Sequence, residues 1–337
     1  MRSKYKVNNM IKWILITVVL LSGCSTTTNG QAELPSLADI PPESRATLLD
    51  NAYKAEQNQK FDKAIVFYVK ALEQEYDDST EEKNKLSNTQ IFYNIGVLEI
   101  KQGHSELALT AFKHLLQYEP NHVLAQTQLG ILYLEKKLKK QATDLLTKAI
   151  TTDQLRLGNN INDDYVFTSL DTMSPLSAYI AFSVIQDLEG HHAKAIETLN
   201  LVQPLAEQDP YVYTNIGYSN YLSGNLVEAE VNYRKAIDID PEFRRAWLNL
   251  GLVYTRKGMY TKALQTLKQV MPIEHAYNDI GYFLMLDGRY SEAEYFLEQA
   301  IDLSPRYFVK ANVNLENVKL ELSQNINMVS SDNKLKQ

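Results

Sequence analysis

A small residue followed twelve positions later by an alanine recurs seven times in this chain, and no other feature constrains its fold as strongly. The small residues are Ala52, Gly96, Gly130, Ser183, Gly217, Gly251 and Gly281, and the alanines are Ala64, Ala108, Ala142, Ala195, Ala229, Ala263 and Ala293. Two helices can cross closely only where neither carries a bulky side chain at the crossing point. The spacing therefore predicts a series of closely packed helix pairs.

Other positions keep the same period. Seven residues after each alanine comes a further small or apolar residue: Ala71, Leu115, Ala149, Val202, Ala236, Val270 and Ala300. Pro120, Pro241 and Pro305 stand five residues beyond three of these and are expected to end helices. Glycines suited to a positive φ at a helix end fall between the paired helices, at Gly103, Gly190, Gly224, Gly258 and Gly288.

This pattern resembles the tetratricopeptide repeat, in which 34 residues fold as two antiparallel helices. The clearest matches run from Tyr213 through Gly217 to Pro241 and from Trp247 through Gly251 to Ala263. The resemblance implies an all-α tetratricopeptide-repeat solenoid of about seven repeats. We assign them to residues 45–78, 89–122, 123–156, 176–209, 210–243, 244–273 and 274–307, the sixth being shortened by Pro272.

Two breaks in the period suggest how the array is organised. A polar segment at 157–175 separates a block of three repeats (45–156) from a block of four (176–307). It either lets the two blocks hinge or lies over a groove. A solenoid needs its last apolar face covered, and Phe308, Ala311, Leu315, Val318 and Leu322 recur at helical spacing. Residues 308–322 are thus predicted as a capping helix and 323–337 as a disordered tail.

The N-terminus has the parts of an export signal. Four basic residues precede or flank a nine-residue apolar stretch, too short at about 1.5 Å per residue to cross a membrane. The sequence from Leu21 to Cys24 then resembles the bacterial lipobox. This resemblance implies a signal peptide at 1–23, a lipid-modified Cys24 and a flexible tether over 24–44. The alternatives are a lone buried cysteine or an ordinary secretory cleavage site nearby.

Charge argues against nucleic acid as a partner. Removal of the leader takes away four of the 34 basic residues and none of the 41 acidic ones, which leaves a net charge of −11. Phosphate binding depends on neutralisation by Lys and Arg, and no basic patch stands out in the body of the chain.

No catalytic or cofactor motif is found in the sequence. The pair His191-His192 could bind a metal, but it follows Gly190 in a predicted turn and favours a solvated turn instead. Asp163, Asp164 and Asp171 could hold calcium, but the spacing and central glycine of an EF-hand are missing. We therefore predict no enzyme activity, no metal and no cofactor. An unrecognised site within 157–175 is the remaining enzymatic alternative.

Tyrosines are abundant, 21 in all, and many fall in the first helix of a repeat. In the family, positions 2, 5, 9, 12 and 13 of a repeat line a partner-binding groove. Carried over to this chain, the resemblance and the residue types predict a groove formed by Tyr93, Tyr211, Tyr218, Tyr221, Arg245, Arg256, Tyr282 and Met285, with Thr214, Leu222, His275, Asn278 and Leu286 at further groove positions. Aromatic and guanidinium groups suit the binding of an extended peptide or a helix. The alternative is that several of these tyrosines pack between repeats, as Tyr233 and Tyr254 should.

The C-terminal half, from Asn278 to Glu294 and on to Pro305, also resembles the TadD family of tight-adherence (Flp-type) pilus assembly lipoproteins. That resemblance implies a periplasmic adaptor, anchored by lipid to the bacterial outer membrane, with secretin or pilus components as partners. Two alternatives share this architecture. One is a type IV pilus pilotin that escorts a secretin, and the other is an adaptor for peptidoglycan hydrolases.

Overall fold

A computed structural model describes residues 43–74, 86–159 and 166–334 of the protein, with side chains up to residue 324. The predicted signal peptide, Cys24 and all but the last residues of the predicted tether lie outside these ranges. The chain forms two compact units, Met1–Asp164 and Tyr165–Gln337. Each unit is a stack of helical hairpins. We call the first helix of a hairpin its A helix and the second its B helix.

The first unit contains three hairpins in its described part. They are α1 (Arg45–Gln57) with α2 (Phe61–Glu73), α3 (Asn88–Lys101) with α4 (Ser105–Tyr118), and α5 (Val123–Glu135) with α6 (Lys139–Arg156). The first two B helices, α2 and α4, also pack on the A helix that follows each of them. A single apolar core runs through the stack, with Ile95, Phe112 and Leu129 among its buried members.

The second unit contains four hairpins and a final helix. The helices are α7 (Leu176–Leu188), α8 (His192–Val202), α9 (Pro210–Leu222), α10 (Leu226–Ile239), α11 (Arg244–Arg256), α12 (Tyr260–Leu267), α13 (Ile273–Leu286), α14 (Tyr290–Leu303) and α15 (Val309–Lys334), with one 3-10 turn at Gln203–Leu205. Throughout the described ranges the regular structure is helical, without a strand. The predicted all-α repeat solenoid is confirmed.

The alanines of the twelve-residue spacing are all fully buried. A Cβ added to Gly281 would lie 3.2 Å from the carbonyl oxygen of Ala293, so the small residue and the alanine do meet closely, as the spacing predicts. The nearest side chain is nevertheless a bulky one that comes sixteen residues later: a Cβ added to Gly96 would lie 2.6 Å from the Phe112 ring. The missing side chain therefore also leaves room that a large neighbour fills, which the spacing did not indicate.

Seven A-to-B turns share one hydrogen-bond closure. In each turn an amide donates to the carbonyl five residues earlier, as from His104 to Glu99 (2.9 Å) and from Met259 to Tyr254 (2.8 Å). The residue before the donor has a positive φ, as this helix-ending motif requires. Five of these residues are the predicted glycines, whereas Gln59 (φ 56°) and Lys137 (φ 60°) take the same place without being glycine.

Three helices end just before the predicted prolines. The helices α4, α10 and α14 end two residues before Pro120, Pro241 and Pro305. In the sixth repeat α12 has only eight residues, and Pro272 directly precedes α13. Val270 thus falls in a turn and is only partly buried, unlike its counterparts in full-length B helices.

The final helix covers the end of the second unit. Ala311 and Val318 of α15 are fully buried, and Leu315 and Leu322 pack against the core cluster of α10 to α14. The helix continues to Lys334, so the predicted disordered tail is wrong for residues 323–334. No proline or glycine occurs within Val309–Lys334 to interrupt the backbone hydrogen bonds.

Candidate partner-binding surface

The A helices of the second unit contact one another as well as their own B helices. Contacts join α7 to α9, α9 to α11, α11 to α13, and α13 to α15. Their outward side chains therefore form one surface, which we call the A-helix face. We define it by Tyr211, Tyr218, Tyr221, Arg245, Arg256 and Tyr282.

The centre of the A-helix face pairs guanidinium groups with tyrosine rings. The Arg256 guanidinium lies 4.9 Å from the centroid of the Tyr221 ring, and its Nη1 donates to the Tyr221 carbonyl oxygen at 3.2 Å. Arg245 reaches back from α11 to α9, where its Nη2 lies 3.5 Å from Oδ1 of Asn215. A guanidinium carries five N–H donors in a planar fork, so both arginines retain donors for a ligand.

The electrostatics of the tyrosines reflect this packing. Burial raises the pKa of the Tyr221 hydroxyl, and the charge of Arg256 opposes that rise. Burial also raises the pKa of Tyr233, which lies beneath the face and feels the charge of Arg245. These hydroxyls are therefore neutral hydrogen-bonding groups at physiological pH. The two guanidinium groups supply positive charge to the central face, and the Asp287 carboxylate lies close enough to raise the pKa of Tyr221 further.

Apolar side chains flank this centre. Tyr211 is 53% exposed and packs edge-on against Phe243, with ring centroids 4.6 Å apart. Tyr218 and Tyr282 are exposed by 36% and 39%. Leu286, at the end of α13, is also exposed. Exposed aromatic and leucine side chains beside arginines are the composition of a protein-binding surface.

Not every position that the repeat resemblance assigned to the groove is accessible. Thr214 is fully buried, and Asn278 is buried where its Oδ1 accepts a hydrogen bond from Nδ2 of Asn314 on α15 (3.1 Å). Met285 packs against the core cluster of the second unit. Side-by-side packing of the A helices covers Asn278 in this way, which periodicity within one helix does not reveal.

Tyr93 lies in the first unit, on α3. Its ring contacts those of Phe112 (5.8 Å between centroids) and His122 (5.7 Å), and burial raises the pKa of its hydroxyl. Tyr93 is thus half buried at the edge of the first unit's core. Its assignment to a binding groove stays a prediction.

The residues considered as metal ligands from the sequence contact neighbouring protein groups. His192 Nδ1 lies 2.8 Å from Oδ1 of Asp187, and His191 is exposed beside Glu189. The Asp171 carboxylate accepts from the Met173 amide at 3.0 Å and so closes its own turn. Asp163 and Asp164 fall outside the described residues. Within the described ranges no three His, Cys, Asp or Glu side chains form a metal-binding group, and no helix is long and apolar enough to cross a membrane.

A buried polar network between α7, α8 and α9 was not found from the sequence. Asp187 Oδ2 accepts from Ser219 Oγ at 2.7 Å while its other oxygen contacts His192, and Thr198 Oγ1 donates to Gln186 Oε1 at 3.0 Å. These residues are 5 to 32 positions apart, so only the packing of three helices brings them together. The network connects the fourth and fifth repeats.

Comparison with known families matches four segments of the chain to tetratricopeptide repeats. Residues 217–258 match a family described as TPR repeat, and residues 89–122, 246–280 and 275–305 match families described as tetratricopeptide repeat. A crystal structure of a tetratricopeptide repeat protein from Parabacteroides merdae superposes with a TM-score of 0.54 at 13% identity, and it covers 82% of this chain and all of that one. That likeness shows the fold.

Curated relatives match only in part. Anaphase-promoting complex subunit 3 of Schizosaccharomyces pombe is 24% identical over 203 residues, which are 54% of this chain and 30% of that protein. The photosystem I assembly protein Ycf3 of Cyanophora paradoxa is 27% identical over 139 residues, 40% of this chain and 70% of that protein. The chain spans less than a third of the length of the anaphase-promoting subunit, so the activity and partners of that protein are not transferred here.

Proposed function

We propose that this tetratricopeptide-repeat chain is an adaptor that holds a segment of a partner protein on the A-helix face of its second unit. The observation that carries the proposal is the placement of Arg245 and Arg256 among exposed tyrosines on helices that contact one another. Tetratricopeptide repeats serve widely as protein-interaction scaffolds, which supports the same conclusion. The described side chains of this face offer groups that can bind a protein segment.

The chemistry of the face indicates the kind of segment it takes. Guanidinium groups form bidentate hydrogen bonds with carboxylates, and partly exposed tyrosines bury large apolar area with little loss of side-chain entropy. The matching ligand is an acidic segment that also carries apolar side chains. Buried tyrosines and arginines at the centre of an interface typically contribute about 2 kcal/mol or more each.

We further propose that the adaptor is anchored by lipid at Cys24 to the periplasmic face of a bacterial outer membrane. The lipobox-like sequence before Cys24 supports this, since two or three acyl chains hold a protein on a membrane durably. Cys24→Ser is expected to abolish incorporation of labelled palmitate and to leave a soluble or uncleaved precursor. Full acylation of that variant would rule out the anchor without affecting the proposal for the A-helix face.

The cellular role that fits the resemblance is assembly of Tad (Flp-type) pilus or secretion machinery, with a secretin or pilus component as the bound partner. A photo-crosslinking amino acid at Tyr218 in the native membrane tests it directly. The same amino acid at Tyr295, which is exposed on the B helix α14, is the matched control. Capture of secretin or pilus components from Tyr218 alone supports the role, whereas capture of peptidoglycan hydrolases would replace it with a cell-wall adaptor.

Binding energetics can then be measured with the captured partner. Tyr218→Ala with Tyr282→Ala should weaken binding by about 2 kcal/mol or more while the helical circular dichroism stays unchanged. Tyr295→Ala, which removes a more exposed ring (56%) elsewhere on the unit, should leave the affinity within about 0.5 kcal/mol of the original. Equal losses from both changes would place binding outside the A-helix face.

A further inference from the structure

The connection between α8 and α9 is longer than the B-to-A connections that follow it in the second unit. It covers residues 203–209, whereas the later ones cover only 240–243, 268–272 and 304–308. Pro204 has no amide hydrogen with which to continue the hydrogen bonds of α8. The chain therefore reaches α9 through an irregular segment that supplies side chains of its own.

A cavity of about 330 Å³ lies between this connection and the helices α9 and α10. We call it the connection cavity. Its volume is near the lower end of the range for small-molecule sites, about 300–1,000 Å³, so it has room for a small ligand. The lining residues are Gln203, Pro204, Glu207 and Gln208 of the connection, Tyr213 of α9 and Lys235 of α10.

Tyr213 brings a buried hydroxyl to the wall of this cavity. Its side chain is only 6% exposed, yet the hydroxyl forms no hydrogen bond with any described residue, although buried tyrosines usually find a partner. At the same repeat position, Trp247 Nε1 donates to the Pro241 carbonyl oxygen at 2.8 Å. Gln126 Nε2 likewise donates to the Pro120 carbonyl oxygen at 2.7 Å. Both bonds span a short connection, and the longer one before α9 leaves the tyrosine hydroxyl available to a ligand.

Glu207 and Lys235 add one charge of each sign to the wall. No ion pair joins them, and neither forms one with another described residue. Lys235 Nζ lies 5.9 Å from the centroid of the Tyr213 ring, so the positive charge adjoins the buried tyrosine. The side-chain amides of Gln203 and Gln208 also form no hydrogen bond within the described ranges. A ligand can therefore contact both charges and both amides without breaking an ion pair or a hydrogen bond between protein groups.

We propose that the connection cavity binds a small zwitterion of the amino-acid or dipeptide class. The carboxylate of the ligand pairs with Lys235 and its ammonium group pairs with Glu207. The Tyr213 hydroxyl and the glutamine amides, which can both donate and accept, bond the remaining polar atoms. Hydrogen bonds between charged groups are stronger than neutral ones, and a ligand with a single charge satisfies only one of the two charged side chains.

This site is distinct from the A-helix face, and the proposal does not depend on that face. Tyr211 belongs to the A-helix face and precedes Tyr213 by two residues. Positions two apart lie about 200° apart around an α-helix, so the two rings point to different sides of α9. A small ligand in the connection cavity thus leaves the A-helix face open to a protein partner.

Fluorine NMR of the full chain tests the proposal at the cavity itself. One sample carries 3-fluorotyrosine at Tyr213, and the matched control carries it at Tyr254. Tyr254 is as deeply buried (3%), but its hydroxyl already donates to Glu230 at 2.9 Å. Dialanine should shift the resonance at 213 and leave the one at 254 unchanged. N-acetyl-dialanine and dialanine amide, which each lack one charge, should bind roughly tenfold more weakly.

Three variants assign the contacts, with saturation-transfer NMR on the ligands as the measurement. Lys235→Gln should remove the preference for dialanine over its amide and keep the preference over the N-acetyl form. Glu207→Gln should do the reverse. Tyr213→Phe keeps the ring and removes the hydroxyl, so dialanine should bind roughly fivefold more weakly. Circular dichroism of each variant checks that the helices are intact.

Several results would overturn the proposal. They are the absence of a shift at 213, an equal shift at 213 and 254, equal binding of dialanine and its two blocked forms, and a selectivity that both glutamine variants leave unchanged. Tighter binding of N-acetyl-glutamyl-lysine amide, whose charges lie on side chains, would also overturn it. That result would assign the connection cavity to a segment of a protein chain.

Discussion

The second unit closes all four of its hairpins through glycine at positive φ, whereas the first unit closes only one of three this way. The same hydrogen bond forms in every turn, from Lys60 in the first to Arg289 in the last. The turn is thus set by the way the A helix ends, and glycine is its least strained occupant. The first unit accepts backbone strain at two turns, where Gln59 and Lys137 carry side chains at positive φ.

The two units also differ at the tyrosines that the repeat resemblance assigned to a groove. In the second unit, Tyr211, Tyr218 and Tyr282 are exposed on A helices. In the first unit, the ring of Tyr93 contacts those of Phe112 and His122. Three of the predicted groove tyrosines are therefore accessible in the second unit, whereas the one in the first unit is half buried.

The largest effect in the first unit is expected from Phe112→Ala. Phe112 is fully buried in the space left by Gly96, so its truncation leaves a cavity and should lower the free energy of unfolding by about 3–5 kcal/mol. Hydrogen exchange should show the loss of protection in α3 and α4. Tyr295→Ala, at an exposed position of the second unit, should change stability by less than about 0.5 kcal/mol. Equal protection losses in both units would contradict the separate cores.

A smaller loss is expected when the glycines of the two units gain a Cβ. In Gly96→Ala the new atom would lie 2.6 Å from two atoms of the rigid Phe112 ring, whereas in Gly251→Ala it would lie 2.5 Å from Cδ2 and 2.6 Å from Cγ of Leu267, a side chain that can rotate. Overpacking typically costs about 1–3 kcal/mol, and we expect Gly96→Ala to cost more than Gly251→Ala in urea denaturation. Phe112→Leu added to Gly96→Ala should recover part of the loss. A greater loss of stability in Gly251→Ala than in Gly96→Ala would contradict the idea that the rigid ring makes the contact at Gly96 less tolerant.

Exchanging the turn residues of the two units should change the stability of the protein in opposite directions. Lys137→Gly relieves a left-handed side chain and should stabilise the protein by up to about 1 kcal/mol. Gly258→Lys introduces the same strain into the second unit and should destabilise by a similar amount. Thermal denaturation measures both changes. If Gly258→Lys left the stability unchanged, the residue type at this turn position would not affect the free energy of unfolding.

The smallest effect concerns the pH dependence of Glu99. Burial raises the pKa of this carboxyl in the folded state, although a hydrogen bond from His104 (2.9 Å) opposes the rise. Its contribution to stability is therefore greatest below its pKa in the unfolded chain, about 4.3, and declines as pH rises through the folded-state pKa. Glu99→Gln should thus show a smaller decline between pH 4 and pH 7 in urea denaturation.

A second buried carboxylate, Asp187 of the second unit, provides a comparison. It contacts both His192 and Ser219, so Asp187→Asn replaces one of its two acceptor oxygens by an amide NH2 group. We expect a net loss of stability at pH 7 from Asp187→Asn in urea denaturation. An unchanged stability would contradict a stabilising role for these contacts.

Most of the fold could be predicted from the sequence because the same pattern recurs in each repeat. The buried alanines, the helix-ending prolines and the turn glycines all lie where the spacing placed them. Gln59 and Lys137 were not predicted at positive φ, since nothing in their side chains indicates it.

The candidate surface was less accessible to such reasoning. Tyr211, Tyr218 and Tyr282 are exposed, while Tyr233 and Tyr254 are buried as expected. Thr214 and Asn278 are buried although their repeat positions indicated the groove. Whether a side chain on an A helix meets solvent depends on the neighbouring helices, and the sequence of one helix does not contain that information.

The sequence by itself determined the local structure: where helices begin and end, and how often the hairpin repeats. These follow from short-range causes, namely the fixed φ of proline, the free φ of glycine and the burial of one stripe on each helix. Only the tertiary structure decided which side chains meet across helices: Phe112 over Gly96, Arg256 over the Tyr221 ring, and Asp187 between His192 and Ser219. Those contacts join residues up to 35 positions apart, and packing geometry alone selects them.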